Sequence, residues 1–344
     1  MCILIVRTDG IGDFVFFSRF LPVIRKQFPN EKLVLCCRQE VASLARLLRL
    51  FDAIVEIDLH KYHYNYLYRF ASLQKIRSFF PSIGIYATFH RSHTGDEMVL
   101  FSGASETMAF SGNTESIHPS MLHRDNKYFS AIVVVPDHSR EHDKYMALLN
   151  QLGIKAAVHP RVSGTFRDIR TPGETEYGRD SRTRKYGVLA PGSGGMIRRW
   201  PVCNFSQLAD RIVEEFDIDI VLCGSTREHT LLSEVAKQMR KSSILRTDLT
   251  IVQVLTMIGN ASFFVGNDSG LLHLAASVNT PSVGIIGGGH FTRYFPYGSV
   301  RVVNHPLDCY ECNWKCIYPE PYCITNITVE EVLSEVRILQ NPRE

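Results

Sequence analysis

The 344-residue sequence predicts an α/β protein built from two doubly wound parallel sheets, and three observations lead to that class. Short apolar runs alternate with helix-like segments in both halves of the chain, as parallel strands alternate with crossover helices. In the second half, loops rich in glycine and hydroxyl residues follow strand-like runs directly. Between the halves lies a stretch of low apolar content, residues 163–185, which favours a domain boundary.

Composition narrows the classes of protein to consider. The length fits two domains, and 45% hydrophobic residues can fill two cores. A net charge of +3 gives no case for a nucleic-acid partner. No apolar run approaches the roughly 20 residues of a membrane-spanning helix. The N-terminus enters an apolar run at once, without a basic region or cleavage site, so we expect a cytoplasmic protein.

The first predicted unit is a strand at residues 2–6, a loop, and a helix from about 13 to 28. Gly10 and Gly12 let the loop turn tightly and leave the top of the sheet open. A dinucleotide-binding fingerprint would need a third glycine at position 15, which is Val15. Asp13 has two interpretations: an acid that stabilises the first turn of the helix, or a carboxylate placed at a cleft to accept a proton.

The remaining first half continues the alternation. Further strands are predicted at residues 33–36, 53–57, 83–86 and 131–135. Residues 60–80 interleave aromatic and basic side chains, which favours either a helix with its rings in the core or a surface for an anionic membrane or glycolipid. Residues 90–127 are polar and are predicted to be an irregular, acceptor-facing wall, with Arg91 as its candidate contact.

The second half repeats the pattern around one stretch, residues 263–277. An apolar strand there runs through Asn267, Asp268 and Ser269, all good helix N-caps, into a helix that starts near Gly270. The free backbone N–H groups and the dipole of such a helix form an anion site, and His273 in its first turn would face the same pocket. An ordinary capped strand–helix junction is the other interpretation. Further strands are predicted at residues 186–190, 218–223 and 282–286, and a closing helix at about 329–339.

These patterns give a domain organisation. The predicted segments are a first doubly wound α/β domain at 1–163, a linker at 164–185, a second domain at 186–326, and a C-terminal helical segment at 327–344, which we expect to pack back toward the first domain.

Four of the nine cysteines form a cluster in the second domain. Their spacing is Cys309-x2-Cys312-x3-Cys316-x6-Cys323. In a cytoplasmic protein such spacing favours a structural metal over disulfides, with four-thiolate zinc or iron expected. It is not a standard zinc-ribbon spacing, and four reduced thiols that stabilise a small loop are the alternative.

Three motifs in order resemble glycosyltransferase family 9, the heptosyltransferases of lipopolysaccharide core synthesis. They are the loop at residues 7–13, the loop at 191–201 with Arg198-Arg199-Trp200-Pro201, and Asn267-Asp268-Ser269-Gly270 with His273. The resemblance covers nearly the whole chain and is weakest between residues 60 and 180. It implies a GT-B fold, two Rossmann-like domains that face each other across a cleft, and inverting transfer without a catalytic metal or cofactor. Similar cysteine clusters in the family imply a structural feature.

The resemblance also implies residue roles. Asp13 matches the family's general base, which deprotonates the acceptor hydroxyl. Ser193 and Gly194 can offer a hydroxyl and a backbone N–H to the donor phosphates, and Arg198 matches a basic position that is usually Lys, although Arg199 can take that role instead. The resemblance implies further donor-side residues at four more places. The acid Asp268 would face sugar hydroxyls, and Ser269 and Gly270 would face phosphate. His273 would face phosphate or sugar, and Leu249 would line the pocket of the nucleobase. Glu228 suits a ribose diol or a helix N-terminus.

The sequence therefore predicts an inverting glycosyltransferase that moves a sugar, with heptose from ADP-heptose favoured, onto a lipopolysaccharide core or related lipid-linked glycan. Such an enzyme would be cytoplasmic or peripheral at the inner face of the inner membrane. Three alternatives stay open. They are a protein heptosyltransferase of the same family, a nucleotide-sugar-binding protein without transferase activity, and a GT-B-like epimerase.

Overall fold

The computed structural model describes residues 1–155, 158, 165–166, 185–289, 291–294 and 300–341. It divides into two compact units, Met1–His159 and Pro160–Glu344. The predicted linker at 164–185 lies almost wholly outside the described residues. The predicted domain bounds therefore stay predictions.

The first unit is a parallel six-stranded sheet with helices between the strands. Its elements are β1 (Cys2–Arg7), α1 (Ile11–Ser18), α2 (Leu21–Gln27), β2 (Lys32–Arg38), α3 (Gln39–Leu47), β3 (Ala53–Ile57), α4 (Leu59–Tyr64), α5 (Tyr66–Arg77), β4 (Ile83–Tyr86), α6 (His93–Leu100), β5 (Glu106–Phe110), α7 (Pro119–Asn126), β6 (Ala131–Val133) and α8 (Glu141–Gln151). The strand order is β3-β2-β1-β4-β5-β6. Strand β1 is central and buried along its whole length, as its apolar run predicts.

The second unit repeats this architecture. Its elements are β7 (Tyr186–Ala190), α9 (Val202–Phe216), β8 (Asp219–Cys223), α10 (His229–Gln238), β9 (Ile244–Arg246), α11 (Ile251–Asn260), β10 (Phe263–Asn267), α12 (Gly270–Ser277), β11 (Ser282–Ile285), α13 (Phe291–Tyr294), β12 (Val300–Val303), α14 (Tyr322–Thr325) and α15 (Val329–Gln340). The strand order β12-β11-β10-β7-β8-β9 is the first unit's order read from the other edge. Its core combines both faces of this sheet with the helices around it.

Both sheets have a switch point, where the strand order reverses direction. It lies between β1 and β4 in the first unit and between β7 and β10 in the second, and both strand pairs are parallel. Ligands of open α/β sheets bind outside the carboxyl ends of the strands at this point. The fold class predicted from the sequence is confirmed, and it directs attention to the loops after these four strands.

Several local predictions differ from the structure. The predicted wall at 90–127 is wrong as an irregular loop, because it contains α6, β5 and α7. The predicted helix at 13–28 is two helices, α1 and α2.

The C-terminal helix α15 packs on the sheet of its own unit through Val332, Leu333 and Val336. Its approach to the first domain stays a prediction. Among the described residues, no helix combines the length and the apolar character needed to cross a bilayer.

Candidate active site

Arg7 organises the carboxyl end of β1. Its side chain is fully buried, forms an ion pair with Asp9, and donates hydrogen bonds to the Ala87 carbonyl at 2.5 Å and the Tyr145 hydroxyl at 2.9 Å. Ala87 follows β4 directly, so this guanidinium joins the two loops at the first switch point. A buried charge persists only when it is paired and hydrogen-bonded, as it is here. The loop after β1 is therefore held rigidly.

Asp13 lies in the first turn of α1, next to this network. Burial raises the pKa of Asp9 to about 6 against the opposing pull of Arg7, and the charge of Asp13 raises it further. The charges of the two carboxylates are therefore electrostatically coupled. The structure brings Asp13 to the switch-point edge, where a proton acceptor could meet a ligand.

The three residues predicted to face an acceptor have different surroundings. Gly10 caps α1 in an extended conformation that other residues also adopt, and Gly12 lies in the first helical turn. Gly10 therefore does not adopt the positive φ that a tight glycine turn at this position would require.

Arg91 is fully buried, contrary to its predicted place on an acceptor-facing wall. It makes a bidentate ion pair with Asp96 at 2.8 Å and donates to the Phe110 carbonyl at 2.8 Å. Burial raises the pKa of Asp96 to about 6, although Arg91 favours its charged form. Because these contacts are internal to the first unit, Arg91 acts there as a structural residue.

In the second unit, Asn267 performs the joining role. Its fully buried amide donates to the Pro191 carbonyl at 2.7 Å and accepts from the Trp200 N–H at 3.1 Å. Both ends of the loop between β7 and α9 are thereby fastened to the end of β10. The predicted phosphate loop and the predicted anion site consequently meet at one edge of the sheet.

The loop at 191–200 presents its cations in two ways. Arg198 ends a short 3₁₀ turn and places its guanidinium 4.7 Å from the centre of the Trp314 ring. Arg199 donates to the Ser193 carbonyl at 3.3 Å, while its Nε is buried and makes no hydrogen bond to any described residue. The Ser193 hydroxyl donates to the Gly195 carbonyl at 2.7 Å, and the backbone at Gly194 faces open space.

The N-terminus of α12 completes this edge. Ser269 is the N-cap, yet its side chain caps no backbone N–H, and its buried hydroxyl is unpaired among the described residues. Asp268 and Gly270 flank it, each half-buried. An unpaired buried hydroxyl is costly unless a ligand or water completes it. The site therefore has two buried donors, Ser269 Oγ and Arg199 Nε, and a helix N-terminus available to an anion.

The other predicted donor-side residues have mixed surroundings. His273 is buried, and its ring packs edge-on to Tyr294 at 5.3 Å. The Glu228 carboxylate accepts from the Ser225 N–H at 2.7 Å and hydroxyl at 2.8 Å in a capping box, and a Cβ at Gly192 would overlap it. Glu228 thus serves the helix N-terminus in this structure. Leu249 is half-buried, just before the N-cap of α11.

The cysteine cluster covers the glycine loop after β11. The carbonyls of Gly288 and Gly289 accept hydrogen bonds from the N–H groups of Glu311 at 2.6 Å and Asn313 at 3.0 Å. A Cβ at Gly289 would overlap the ring of Trp314. Glu311, Asn313 and Trp314 all have left-handed φ values near 60° (63°, 53° and 60°), so this segment is held in a conformation that L residues rarely adopt.

The four thiols of the cluster line one pocket. Cys309, Cys312, Cys316 and Cys323 are all free cysteines on its wall. Burial raises the pKa of the Cys309 and Cys323 thiols, and the neighbouring thiols add to the effect. Within the described residues, no three His, Cys, Asp or Glu side chains are placed to hold one metal ion. Thiolates suit zinc or iron by their chemistry, but ligation would require the four sulfurs to close on the ion.

Sequence reasoning missed three residues that shape this site: Arg7, Asn267 as a bridge, and Trp314. A charged residue at the end of a central apolar strand was a signal for Arg7. The roles of Asn267 and Trp314 depend on partners far away in the chain, which no local pattern reveals.

Residues 142–317 match the model of glycosyltransferase family 9 (heptosyltransferase). Lipooligosaccharide heptosyltransferase 2 of Campylobacter jejuni is 26% identical over 219 residues, which cover 60% of this chain and 66% of that protein. The chain thus spans just under two thirds of the length of this curated relative.

Solved structures share the fold over the whole chain. A family 9 glycosyl transferase from Veillonella parvula aligns with a TM-score of 0.82 at 19% identity, over 99% of this chain and 97% of that one. The ADP-heptose lipopolysaccharide heptosyltransferase II of E. coli aligns with a TM-score of 0.75 at 17% identity, over 99% of both chains. The iron-containing heptosyltransferase TibC of enterotoxigenic E. coli aligns with a TM-score of 0.56 at 15% identity, over 99% of this chain and 76% of TibC.

Proposed function

Because the chain belongs to glycosyltransferase family 9, we propose that it is an inverting glycosyltransferase that moves a heptose from ADP-heptose onto a lipopolysaccharide core or related lipid-linked glycan. Its fold is the GT-B fold of two Rossmann-like domains. The donor and acceptor are inferred from relatives whose names include heptosyltransferase and ADP-heptose.

The observation that carries this proposal is the pair of unpaired buried donors at the second switch point. The hydroxyl of Ser269 and the Nε of Arg199 lie in loops that Asn267 fastens together at the N-terminus of α12. A diphosphate supplies the acceptor oxygens that these donors lack, and its charge is favoured at a helix N-terminus. A nucleoside diphosphate sugar is therefore the ligand class that best completes the site.

The reaction follows from the roles of both edges. The oxygen of the acceptor hydroxyl attacks the anomeric carbon on the face opposite the diphosphate, and its proton passes to the Asp13 carboxylate. The bond from the anomeric carbon to the β-phosphate oxygen breaks, and its electron pair leaves with the diphosphate. Arg198, Arg199 and the N-terminus of α12 stabilise that growing charge, so the leaving group is neutralised by protein groups alone.

Binding tests the donor site first. We would measure the melting temperature of the whole chain with ADP, UDP, GDP and CMP, with and without chelator. A ligand that binds only the folded state raises that temperature. We expect a selective rise with ADP that chelator leaves unchanged. A selective rise with UDP or GDP would show that the donor carries that nucleotide and not ADP. No rise with any nucleotide would contradict the donor site.

Two substitutions then separate the roles of the two domains. Asp13→Asn is expected to lower kcat by about 10²–10⁴-fold and leave ADP affinity unchanged, since it removes only the proton acceptor. Ser269→Ala should weaken ADP binding by about 10-fold or more, because a hydrogen bond to a charged group contributes about 1.5–3 kcal/mol. Ser334→Ala on α15 is the matched control.

The same variants test the alternatives. A binding protein without transferase activity would show no activity for Asp13→Asn to abolish. An epimerase would convert the nucleotide sugar without any acceptor. Transfer to a protein would appear as a mass increase of a polypeptide acceptor, with the same dependence on Asp13.

A structural metal at the cysteine cluster is a separate proposal. It is supported by the four thiols on one pocket and by the iron named for TibC. A bound zinc or iron would supply a cross-link between the segments that carry the sulfurs. Metal analysis of the purified chain should find about one ion per chain, lost in Cys312→Ser; thiolate-to-iron absorption bands would identify iron. A metal-free, fully folded chain would contradict the proposal.

A further inference from the structure

Two adjoining helices of the first unit expose large apolar side chains to solvent. On α4 and α5 the exposed fractions are 78% for Tyr64, 82% for Tyr66, 83% for Leu67 and 62% for Phe70. Phe80, just after α5, is 83% exposed. The sequence left open whether the rings of this segment fill a core or form a surface. The structure shows that most of them form a surface, which we call the aromatic face (Tyr64, Tyr66, Leu67, Phe70 and Phe80).

The opposite side of the same helices is firmly anchored, which fixes the direction of the aromatic face. Tyr62 is buried and donates to the Glu97 carboxylate at 2.7 Å, and Arg69 forms an ion pair with the same carboxylate. Ser72 and Ile76 are buried one turn and two turns further along α5. The exposed apolar residues point to solvent because the opposite side of the two helices is packed against the rest of the unit.

The charged side chains within the two helices of the aromatic face are all basic. Residues 59–80 contain four basic residues and no acidic residue. Glu97 neutralises Arg69, and Lys61 lies 3.7 Å from the Asp58 carboxylate. Lys75 and Arg77 are exposed and form no ion pair with any described residue. Aromatic side chains beside uncompensated cations are the composition of proteins that lie in the interface of an anionic bilayer.

The aromatic face begins at the edge of the sheet that carries Asp13. Helix α4 follows the carboxyl end of β3, and Asp13 follows the carboxyl end of β1 in the same parallel sheet. Carboxyl ends of parallel strands lie at one edge. A surface that contacts Tyr64 therefore borders the edge where an acceptor would meet the proposed base.

We propose that the aromatic face docks the first domain peripherally on an anionic phospholipid surface. Apolar side chains enter the headgroup region, and Lys75 and Arg77 contact lipid phosphates. A second copy of this chain fits less well, because a two-fold contact would set two acid-free basic faces against each other. The inference does not depend on glycosyl transfer, since lipid binding is measured without donor or acceptor.

Vesicle co-sedimentation tests the proposal with the full chain. We expect binding to phosphatidylcholine vesicles that contain about one third phosphatidylglycerol, weak binding to pure phosphatidylcholine, and loss of the difference at about 0.5 M salt. Lys75→Gln/Arg77→Gln should weaken binding about 25-fold, from about fivefold per cation. Leu67→Ser/Phe70→Ser should weaken it about tenfold or more.

The matched control is Lys127→Gln/Tyr128→Ser. Both residues are exposed, and they precede β6, at the opposite edge of the sheet from β3. This variant should bind vesicles as the unchanged chain does. Equal binding to neutral and anionic vesicles, or equal losses in the control, would overturn the proposal. So would a dimer in light scattering that Leu67→Ser/Phe70→Ser converts to monomer, because the face would then be covered by a second copy.

Discussion

Asp9 sits between the buried cation Arg7 and the proposed base Asp13, so its charge adjusts the chemistry of both. Coulomb coupling is reciprocal: because Asp13 helps to raise the pKa of Asp9, the charge on Asp9 equally opposes ionisation of Asp13. Asp9→Asn removes that repulsion and leaves Arg7 less neutralised. We expect the acidic limb of the pH profile of kcat/KM to move to lower pH. Asp137→Asn, an exposed acid of the same domain, is the control, and a shift to higher pH would contradict the coupling.

Trp314 connects the cysteine cluster to the predicted phosphate loop through its contact with Arg198. Its ring lies under the Arg198 guanidinium at 4.7 Å, a geometry that contributes about 0.5–2 kcal/mol. Trp314→Leu should weaken ADP binding by about 2- to 30-fold through a freer Arg198. Trp314→Phe keeps an aromatic face and should restore most of the affinity. Equal losses in both variants would assign Trp314 to packing alone.

At the scale of elements, the bridge from β10 to the loop at 191–200 depends on one amide. Asn267→Ala would leave the Trp200 N–H and the Pro191 carbonyl without their partner, at a cost of about 1–3 kcal/mol each. For a unit of this size each kcal/mol lowers the melting temperature by about 2–4 °C. Thermal unfolding should therefore show a marked drop, accompanied by weaker ADP binding. Asn260, exposed at the end of α11, provides the control, and Asn260→Ala should change neither the melting temperature nor ADP binding. An unchanged melting temperature for Asn267→Ala would contradict the stabilising role of the bridge.

The elements also show what a sequence can and cannot predict. Strands such as β1 and β10 are continuous apolar runs buried on both faces, and the sequence predicted them. Strand β5 was missed because its five residues stand in the polar segment 90–127. Strands β9 and β12 were missed because they are short edge strands with partly exposed side chains.

The candidate site divides in the same way. The positions of Asp13 and Ser269 at the starts of helices follow from strand–loop–helix patterns that are local in sequence, and their roles stay predictions. The bridge from Asn267 to Trp200 spans 67 positions and depends on the sheet order, which no local pattern contains. The burial of Arg91 likewise depends on Asp96 and on the end of β5, a strand that the sequence did not reveal.

The two units share one structural feature, a buried side chain that joins the loops at the switch point of the sheet. Both sheets have the same strand order. At each switch point a buried side chain joins the two central loops: Arg7 in the first unit and Asn267 in the second. Loops at a switch point diverge to opposite sides of the sheet, so an inward polar link holds them at a fixed separation. The link in the first unit carries charge and pairs with Asp9, which is coupled to Asp13, while the neutral link in the second leaves its loops open to an anion.

Both cores also bury titratable thiols, which makes alkaline stability a property of the whole chain. Burial raises the pKa of Cys37 in β2 to about 12 and that of Cys223 in β8 to about 12, from 9.0. Above pH 9 the thiols of the unfolded chain ionise while those of the folded chain keep their protons, so the free energy of unfolding falls as pH rises toward 12. The loss is about 1.4 kcal/mol per pH unit for each thiol.

Replacing each thiol by valine should therefore flatten the alkaline loss of stability in one unit at a time. Between about pH 9 and 10.5, Cys37→Val should reduce the slope of melting temperature against pH for the first unit, and Cys223→Val for the second. Cys203→Val is the control, because that thiol is exposed on the surface. If all three variants kept the slope of the unchanged chain, another group would have to carry the alkaline transition. If Cys37→Val and Cys223→Val flattened one shared transition, the two units would unfold together, and the buried thiols would report on their coupling.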